Sequence, residues 1–407
     1  MASFLVYTSP ARGHLYPLVP TLLALTARGH RVHVRTLAGE VALLEGLGVP
    51  ASPMAAPIED RALDDWRAKS PVQAVGLAFS TWLDRAQHEV ADLQAAIAAG
   101  SPDVLFVDVN AWGALAAAEA SGLPFAVFSP YFLNVRAPGR PPFGLGLAPA
   151  TGLFGRVRDA VVRAASDLGT RSYRVRLNAL RAGLGLPPHS AFDQLTAAAH
   201  RVLAYTAEPF EYAHGGWPAN VRLVGPGIWE PPSAQDAAAA HGTRPLVLVT
   251  CSTEFQDDGA LIRTALDALA GEDVDVVATT AALDPAGFPA PANATVVRYA
   301  AHGPLLRRAA AVICHGGMGI TQKALAAGVP VCVVPWGRDQ VDVGRHVELA
   351  GAGVMVPRRR LRADTLRAAV AQARSRRPGA EAVARAFAGA GGPSMAADIL
   401  EELGGTR

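Results

Sequence analysis

Residues 314–340, CHGGMGITQKALAAGVPVCVVPWGRDQ, constrain the fold more than any other stretch of the chain. The apolar run 311–314 reads as a strand buried on both faces. The turn formers Gly316, Gly317 and Gly319 follow it at once, then a helical run through Lys323, Ala324, Leu325, Ala326 and Ala327 that Gly328 and Pro330 stop. A second apolar strand, 331–334, leads to a polar loop carrying Asp339 and Gln340. This order belongs to a parallel α/β sheet, whose ligands bind beyond the carboxyl ends of the strands. The first amides of a helix lack internal partners and sit at the positive end of its dipole, and glycines let an anion approach the backbone. The unit therefore fits a diphosphate, with His315 adding a side-chain donor. A bare glycine turn between strand and helix would show the same local pattern, and the polar loop after the second strand tips the reading toward a site.

The same plan recurs along the chain. Residues 4–8 read as a strand, 9–13 as a loop, 15–28 as an amphipathic helix stopped by Gly29, and 31–36 as the next strand; runs 104–107 and 125–129 extend that sheet around an alanine-rich helix at 114–120. After a stretch rich in Pro, Gly and Trp, runs at 246–250, 274–278, 295–298, 311–314 and 331–334 alternate with helical segments and form a second parallel sheet. The expected organisation is a first domain at 1–214, a linker at 215–244, a second domain at 245–385, and a terminal helix within 386–407 returning to the first domain. No tandem repeat or low-complexity tail intervenes. Two such sheets facing each other create a deep cleft, a common place for ligands.

At 407 residues the chain exceeds one ordinary domain, and a 50% hydrophobic content supplies two cores. Its 37 basic and 35 acidic residues leave a formal charge of +2, so charge gives no case for nucleic acid. Arg358, Arg359, Arg360 and Arg362 read as a solvated turn. Cys251, Cys314 and Cys332 lie in or beside apolar strands without metal-ligand spacing, as buried reduced thiols of a cytoplasmic protein would. Asp273 and Asp275 superficially match an acidic metal pair, but stand before a strand, at the edge opposite the candidate site. The run 4–7 is too short for a signal-peptide core, and no stretch reaches the ~20 apolar residues of a membrane span.

His14, Asp108, Ser252, Thr253, His315, Asp339 and Gln340 all fall just after predicted strands and can face one cleft. Histidine accepts a proton near neutrality, and a buried carboxylate fixes its tautomer and stabilises the imidazolium. Asp108 can do this for His14, because adjacent strand ends bring their loops together. Either residue alone also suits a cap or a turn. Combined with a diphosphate cradle, the pair implies that a hydroxyl is deprotonated while a diphosphate leaves, as in sugar transfer from a sugar nucleotide, with helix amides and His315 stabilising the departing charge.

These residues resemble the family 1 glycosyltransferases of the GT-B fold, especially the bacterial enzymes that decorate antibiotics and other natural products. The likeness spans nearly the whole chain: GHLYP at 13–17, FVD at 106–108, VGP at 224–226, HGGMG at 315–319, and Asp339-Gln340. It implies an α/β GT-B architecture of two Rossmann-like parallel-sheet domains across a deep cleft, and inverting, metal-independent transfer without a cofactor. His14 resembles the general base and Asp108 its orienting acid. His315, Gly316, Gly317, Met318, Gly319 and Ile320 would hold the diphosphate, Asp339 and Gln340 the donor sugar. Thr253 would approach the phosphates, with Ser252 in place of a family glycine. In Tyr299-Ala300-Ala301-His302, which matches a loop near the base, His302 would cover the base or face solvent. Two departures stand out. Ile320 replaces a common Ser or Thr, for which Thr321 could substitute. Lys323 replaces a Glu that binds both ribose hydroxyls, which favours a dTDP-sugar over a UDP-sugar, because deoxyribose lacks the 2′-hydroxyl.

Trp66, Phe79, Trp82, Phe132, Phe143 and Phe154 supply enough aromatic area for a hydrophobic acceptor such as a polyketide, macrolide, enediyne or aromatic aglycone, although each also suits ordinary helix packing. The Pro- and Gly-rich stretch 139–152 reads as a mobile acceptor loop. The expected partners are thus a nucleotide-sugar donor and a hydrophobic small molecule, with a homodimer left open. A sugar-nucleotide epimerase and a non-catalytic helper of the same fold are the alternatives; His14 and Asp108 together oppose the helper. An NAD-linked oxidoreductase fits worse, because ARGHLYP lacks Gly-x-Gly-x-x-Gly after the first strand.

Overall fold

The computed structural model describes residues 1–150, 152–212, 216–231 and 244–405. Among the described residues, thirteen strands form two sheets. The first takes β1 (Ser3–Tyr7), β2 (Arg31–Thr36), β3 (Ala51–Pro53), β4 (Val104–Asp108), β5 (Phe125–Ser129), β6 (Arg201–Ala204) and β7 (Val221–Leu223), in the order β3-β2-β1-β4-β5-β6-β7. The second takes β8 (Leu246–Thr250), β9 (Asp275–Thr279), β10 (Ala294–Val297), β11 (Ala309–Cys314), β12 (Val331–Val333) and β13 (Gly353–Met355), in the order β10-β9-β8-β11-β12-β13. Every pairing is parallel. Both faces of each sheet carry helices, so central strands such as β4, β8 and β11 are apolar almost throughout, as parallel strands covered on both sides must be.

The order in each sheet reverses at its first strand, where β1 lies between β2 and β4, and β8 between β9 and β11. A reversal leaves the loops after the two central strands diverging to opposite faces, and the crevice between them is where such sheets take ligands. Asp108 ends β4, and His14, Ser252 and His315 follow β1, β8 and β11.

The expected linker 215–244 starts too early, since β7 adds Val221–Leu223 to the first sheet by pairing with β6; residues 215 and 232–243 of that span lie outside the described residues. At the other end, helix Gly392–Gly404 packs on the first lobe. Arg28 donates to Asp398 at 2.7 Å and Glu401 at 2.9 Å, and His30 Nε2 lies 2.7 Å from Glu401. No helix among the described residues is long and apolar enough to cross a membrane.

The lobes are closed on each other. Asp65 pairs with Arg338, Trp66 meets Phe255 edge-on at 4.9 Å, and Gln322 donates to the Tyr205 carbonyl at 2.6 Å. The expected mobile loop 139–152 is tied down instead. Asp342 of the second lobe accepts from the amides of Gly144 and Gly146, and Arg345 donates to the Gly146 carbonyl at 3.0 Å. Residue 151 of that loop lies outside the described residues.

Candidate active site

The register of β1 against β4, with Tyr7 opposite Val107, brings residues 8 and 108 side by side. Helix Arg12–Leu15 begins earlier than the pattern of the sequence predicts, and Pro17 passes it into the 3-10 turn Tyr16–Leu18. His14 therefore sits inside this first turn, aimed at the end of β4. Its Nδ1 lies 2.9 Å from Asp108 Oδ2 and 3.1 Å from Oδ1. Asp108 is fully buried, and it also accepts from the Ser9 amide (3.1 Å), the Ser9 hydroxyl (2.9 Å) and the Asn110 amide (2.8 Å). Burial alone would raise the Asp108 pKa, but His14 and these donors hold it below the usual value. For His14, burial works to lower the pKa. The charge and hydrogen bond of Asp108 outweigh it, with Asp339 and Glu254 adding, and the imidazole is raised above its ordinary value. Because Nδ1–H donates to a carboxylate, the hydrogen-bond network assigns the Nε2 lone pair to the cleft side.

Asn110 Nδ2 lies 3.4 Å from that Nε2, and its Oδ1 accepts from the Tyr131 hydroxyl at 2.5 Å. Burial, then the charges of Asp108 and Asp339, keep the Tyr131 phenol protonated, which fixes the amide orientation.

In the second lobe, β11 ends at Cys314 and the helix Met318–Ala326 starts from Gly317, with no side chain capping it. Gly316 takes φ +94°, and a Cβ there would approach Val333 to 2.8 Å; a Cβ on Gly317 would collide with the His315 imidazole. No side chain stands over Gly319, where a Cβ would meet nothing within 4 Å. The amides of Met318, Gly319 and Ile320 thus begin an uncapped helix beside His315, whose Nδ1 is buried without a hydrogen-bond partner. Burial and the nearby Arg338 charge lower the His315 pKa to about 4, so its ring is neutral. Ile320 keeps its side chain in the core. Thr321 does not supply the missing hydroxyl, because it is buried and donates to the Gly317 carbonyl at 2.9 Å.

The loop after β12 joins the halves. Asp339 is partly buried and close enough to His14 for each charge to act on the other. Burial raises the Asp339 pKa, against its own backbone amide, Arg338 and His14. Gln340 is 2% exposed; its Oε1 accepts from the amides of Trp336 (2.7 Å) and Gly337 (3.1 Å), and its Nε2 donates to Gln256 at 2.7 Å. Gln256 in turn donates to the Ser252 hydroxyl at 2.7 Å, so Ser252 and Gln340 stabilise the two loops, while Thr253 is exposed beside them.

The His14–Asp108 pair therefore faces, across the cleft, the Asp339 carboxylate and the uncapped start of helix Met318–Ala326. The family model described as erythromycin biosynthesis protein CIII-like, C-terminal domain, matches residues 263–403. The chain is 33% identical over 390 residues to 4′-demethylrebeccamycin synthase of Lentzea aerocolonigenes, covering 91% of each. The chain belongs to the family 1 GT-B glycosyltransferases of bacterial natural-product biosynthesis. Solved structures share the fold: the glycotransferase of kitacinnamycin superposes with TM-score 0.79 at 23% identity, covering 99% of this chain and 98% of that one. Glycosyltransferase VinC in complex with DTDP does so with TM-score 0.70 at 23% identity, covering 98% and 99%.

In this glycosyltransferase the expected acceptor aromatics separate into distinct groups. Phe143 stacks on Tyr131 at 6.0 Å, which meets His14 edge-on at 5.6 Å, so Phe143 lies one ring away from His14. Trp66 lies at the contact between lobes. Phe79 and Trp82 pack with Trp112, Phe192 and Tyr173 in an aromatic cluster of the first lobe. Phe132 is a correction: it is fully buried, stacked on His346 with ring centroids 3.6 Å apart, and fills the seam between lobes rather than an acceptor pocket. Phe154 is 92% exposed.

His302 does not face solvent. Glu230 lies 3.5 Å from its Nδ1, and the same carboxylate accepts from the amides of His302 (3.2 Å) and Gly303 (3.1 Å) and from Lys323 Nζ (2.9 Å). Burial and the Lys323 charge lower the His302 pKa to about 4 despite Glu230. Glu230, Asn110, Tyr131, Glu254 and Arg338 escaped the sequence reading. Asn110 and Tyr131 follow the ends of β4 and β5, so the strand-end rule that found Asp108 could have found them, and Glu254 and Arg338 adjoin residues it did find. Glu230 carries no such signal.

Proposed function

We propose that the enzyme transfers a sugar from a dTDP-sugar, with inversion and without a metal or other cofactor, to a hydroxyl of a hydrophobic aglycone. The observation that carries this reading is the His14–Asp108 pair set opposite Asp339 and the uncapped start of helix Met318–Ala326. An acceptor hydroxyl on Nε2 of His14 passes its proton to the imidazole, and Asp108 stabilises the imidazolium. The freed oxygen bonds the anomeric carbon from the face opposite the diphosphate, which inverts that centre. The bond from that carbon to the diphosphate oxygen breaks, and the helix amides and neutral His315 receive the negative charge. Asp339 would hold the sugar hydroxyls, and Phe143 and Tyr131 would flank the acceptor.

The preference for dTDP rests on Lys323. Its ammonium is paired with Glu230, so a cation stands where many relatives present a carboxylate to two ribose hydroxyls. The fold neighbour VinC was solved with DTDP, which supports the same choice.

The test is turnover of dTDP- and UDP-sugars against a panel of apolar hydroxylated aglycones, with and without a chelator. The expected result is a glycoside of inverted anomeric configuration, formed faster from dTDP-sugars and unaffected by chelation. Turnover of UDP-sugars alone would remove the donor assignment, and retention of configuration would remove His14 as the base.

A further inference from the structure

The loop that presents Asp339 is anchored from both lobes. On its own side, Gln340 ties the backbone of Trp336 and Gly337 to Gln256, and Trp336 Nε1 donates to the Asp257 carbonyl at 3.2 Å. From the opposite lobe, Asp65 receives Arg338 as a fork: Nε donates to Oδ2 at 3.0 Å and Nη2 to Oδ1 at 2.9 Å. Planar two-point pairing fixes direction as well as distance, which a single contact does not. The two residues are 273 positions apart, and Asp65 is 7% exposed.

The backbone also needs this anchor. Arg338 takes φ +55°, a left-handed conformation uncommon for a long side chain and kept only where the surroundings over-determine it. Asp339 follows directly, so the geometry of Arg338 sets the direction in which its carboxylate leaves the chain. One residue after Asp65, Trp66 packs on Phe255 beyond β8, with the Arg67 guanidinium 5.0 Å from the Trp66 ring centre. The 3-10 turn Asp65–Arg67 thereby grips the second lobe at two of its site loops.

We propose that Asp65 is a positioning residue for the donor: through Arg338 it sets Asp339, so that the sugar-facing loop reaches its working geometry only when the lobes are closed. The proposal rests on the donor-sugar reading of Asp339. Its consequence is that closure over an acceptor and orientation of the donor sugar become one event.

The experiment compares Asp65→Ala, Asp65→Asn, Asp65→Glu, Arg338→Ala and the Asp65→Ala/Arg338→Ala double variant, each checked for native melting behaviour. Hydrogen exchange of residues 336–341, with no ligand added, should quicken in Asp65→Ala and Arg338→Ala alike and stay near wild type in Asp65→Glu. Sugar transfer should lose about 10- to 100-fold in kcat in Asp65→Ala and Asp65→Asn, the scale of a reacting group displaced by about 1 Å. Affinity of the Asp65 single variants for dTDP without a sugar should not change, Asp65→Glu should recover most of the rate, and the double variant should be no slower than the worse single. Unaltered exchange at 336–341 in Asp65→Ala, fully additive single effects, or a matching loss of dTDP affinity would each overturn the proposal. If wild type transferred no sugar, the functional reading would fail, while the exchange data would still decide whether Asp65 holds the loop.

Discussion

His14 and His315 occupy equivalent places, each after a central parallel strand and at the entry to a helix, yet their surroundings tune them in opposite directions. His14 meets Asp108, whose remaining capacity is taken by Ser9 and Asn110, and its pKa rises. His315 meets the charge of Arg338 and no carboxylate; its pKa falls to about 4 and one ring nitrogen is left unpaired. One imidazole is biased toward its protonated form, the other toward its neutral form. The fold fixes where a histidine stands, and the charge facing it decides what it does.

The largest effect should come from removing the proposed proton acceptor, His14. His14→Ala should lower kcat by about 10²- to 10⁴-fold while leaving dTDP affinity unchanged, measured by steady-state kinetics and calorimetry. Equal losses in both would erase the division of labour between the two histidines. Asp108→Asn comes next, with a loss of about 10²-fold. It also carries a pH signature. His14 must be neutral to act, so kcat/KM falls as pH drops through its raised pKa. Removing the Asp108 charge disfavours the imidazolium, and the acidic limb should move to lower pH in the variant. A limb that stayed in place would assign it to another group.

Much of this contrast was legible in the sequence because it depends on short-range pattern. Apolar runs bounded by Gly, Pro and Asp mark the central strands, and the residues just after them mark the site. What escaped is what only tertiary geometry decides. β3, β7 and β13 have three residues each, too few for a period to register. Phe132 carries no sign of direction in its neighbours, and the fold turns it onto His346. Gln340 was expected among sugar ligands, yet the amides of Trp336 and Gly337 converge on its oxygen. Glu230 reaches Lys323 across 93 positions, a pairing that no local spacing encodes. Loop 139–152 has the composition of a mobile segment, and Asp342 of the other lobe pins it.

Two smaller effects sharpen the comparison from the second lobe. Gly317→Ala places a methyl group against the His315 ring and should weaken dTDP binding by about tenfold, the loss of one well-placed charge-assisted hydrogen bond, without shifting the acidic limb set by His14. A shifted limb would mean that the two imidazoles are coupled rather than independently tuned. Asp342→Ala should act on the acceptor alone. The variant frees the Gly144 and Gly146 amides next to Phe143, which stacks on Tyr131 beside His14. Ordering that loop again on binding costs conformational entropy, so the acceptor KM should rise by a few-fold, on the order of 1 kcal/mol, with donor KM and the pH profile unchanged. A rise in donor KM of the same size would show that this strap serves lobe closure in general, and the acceptor side would then have no anchor of its own.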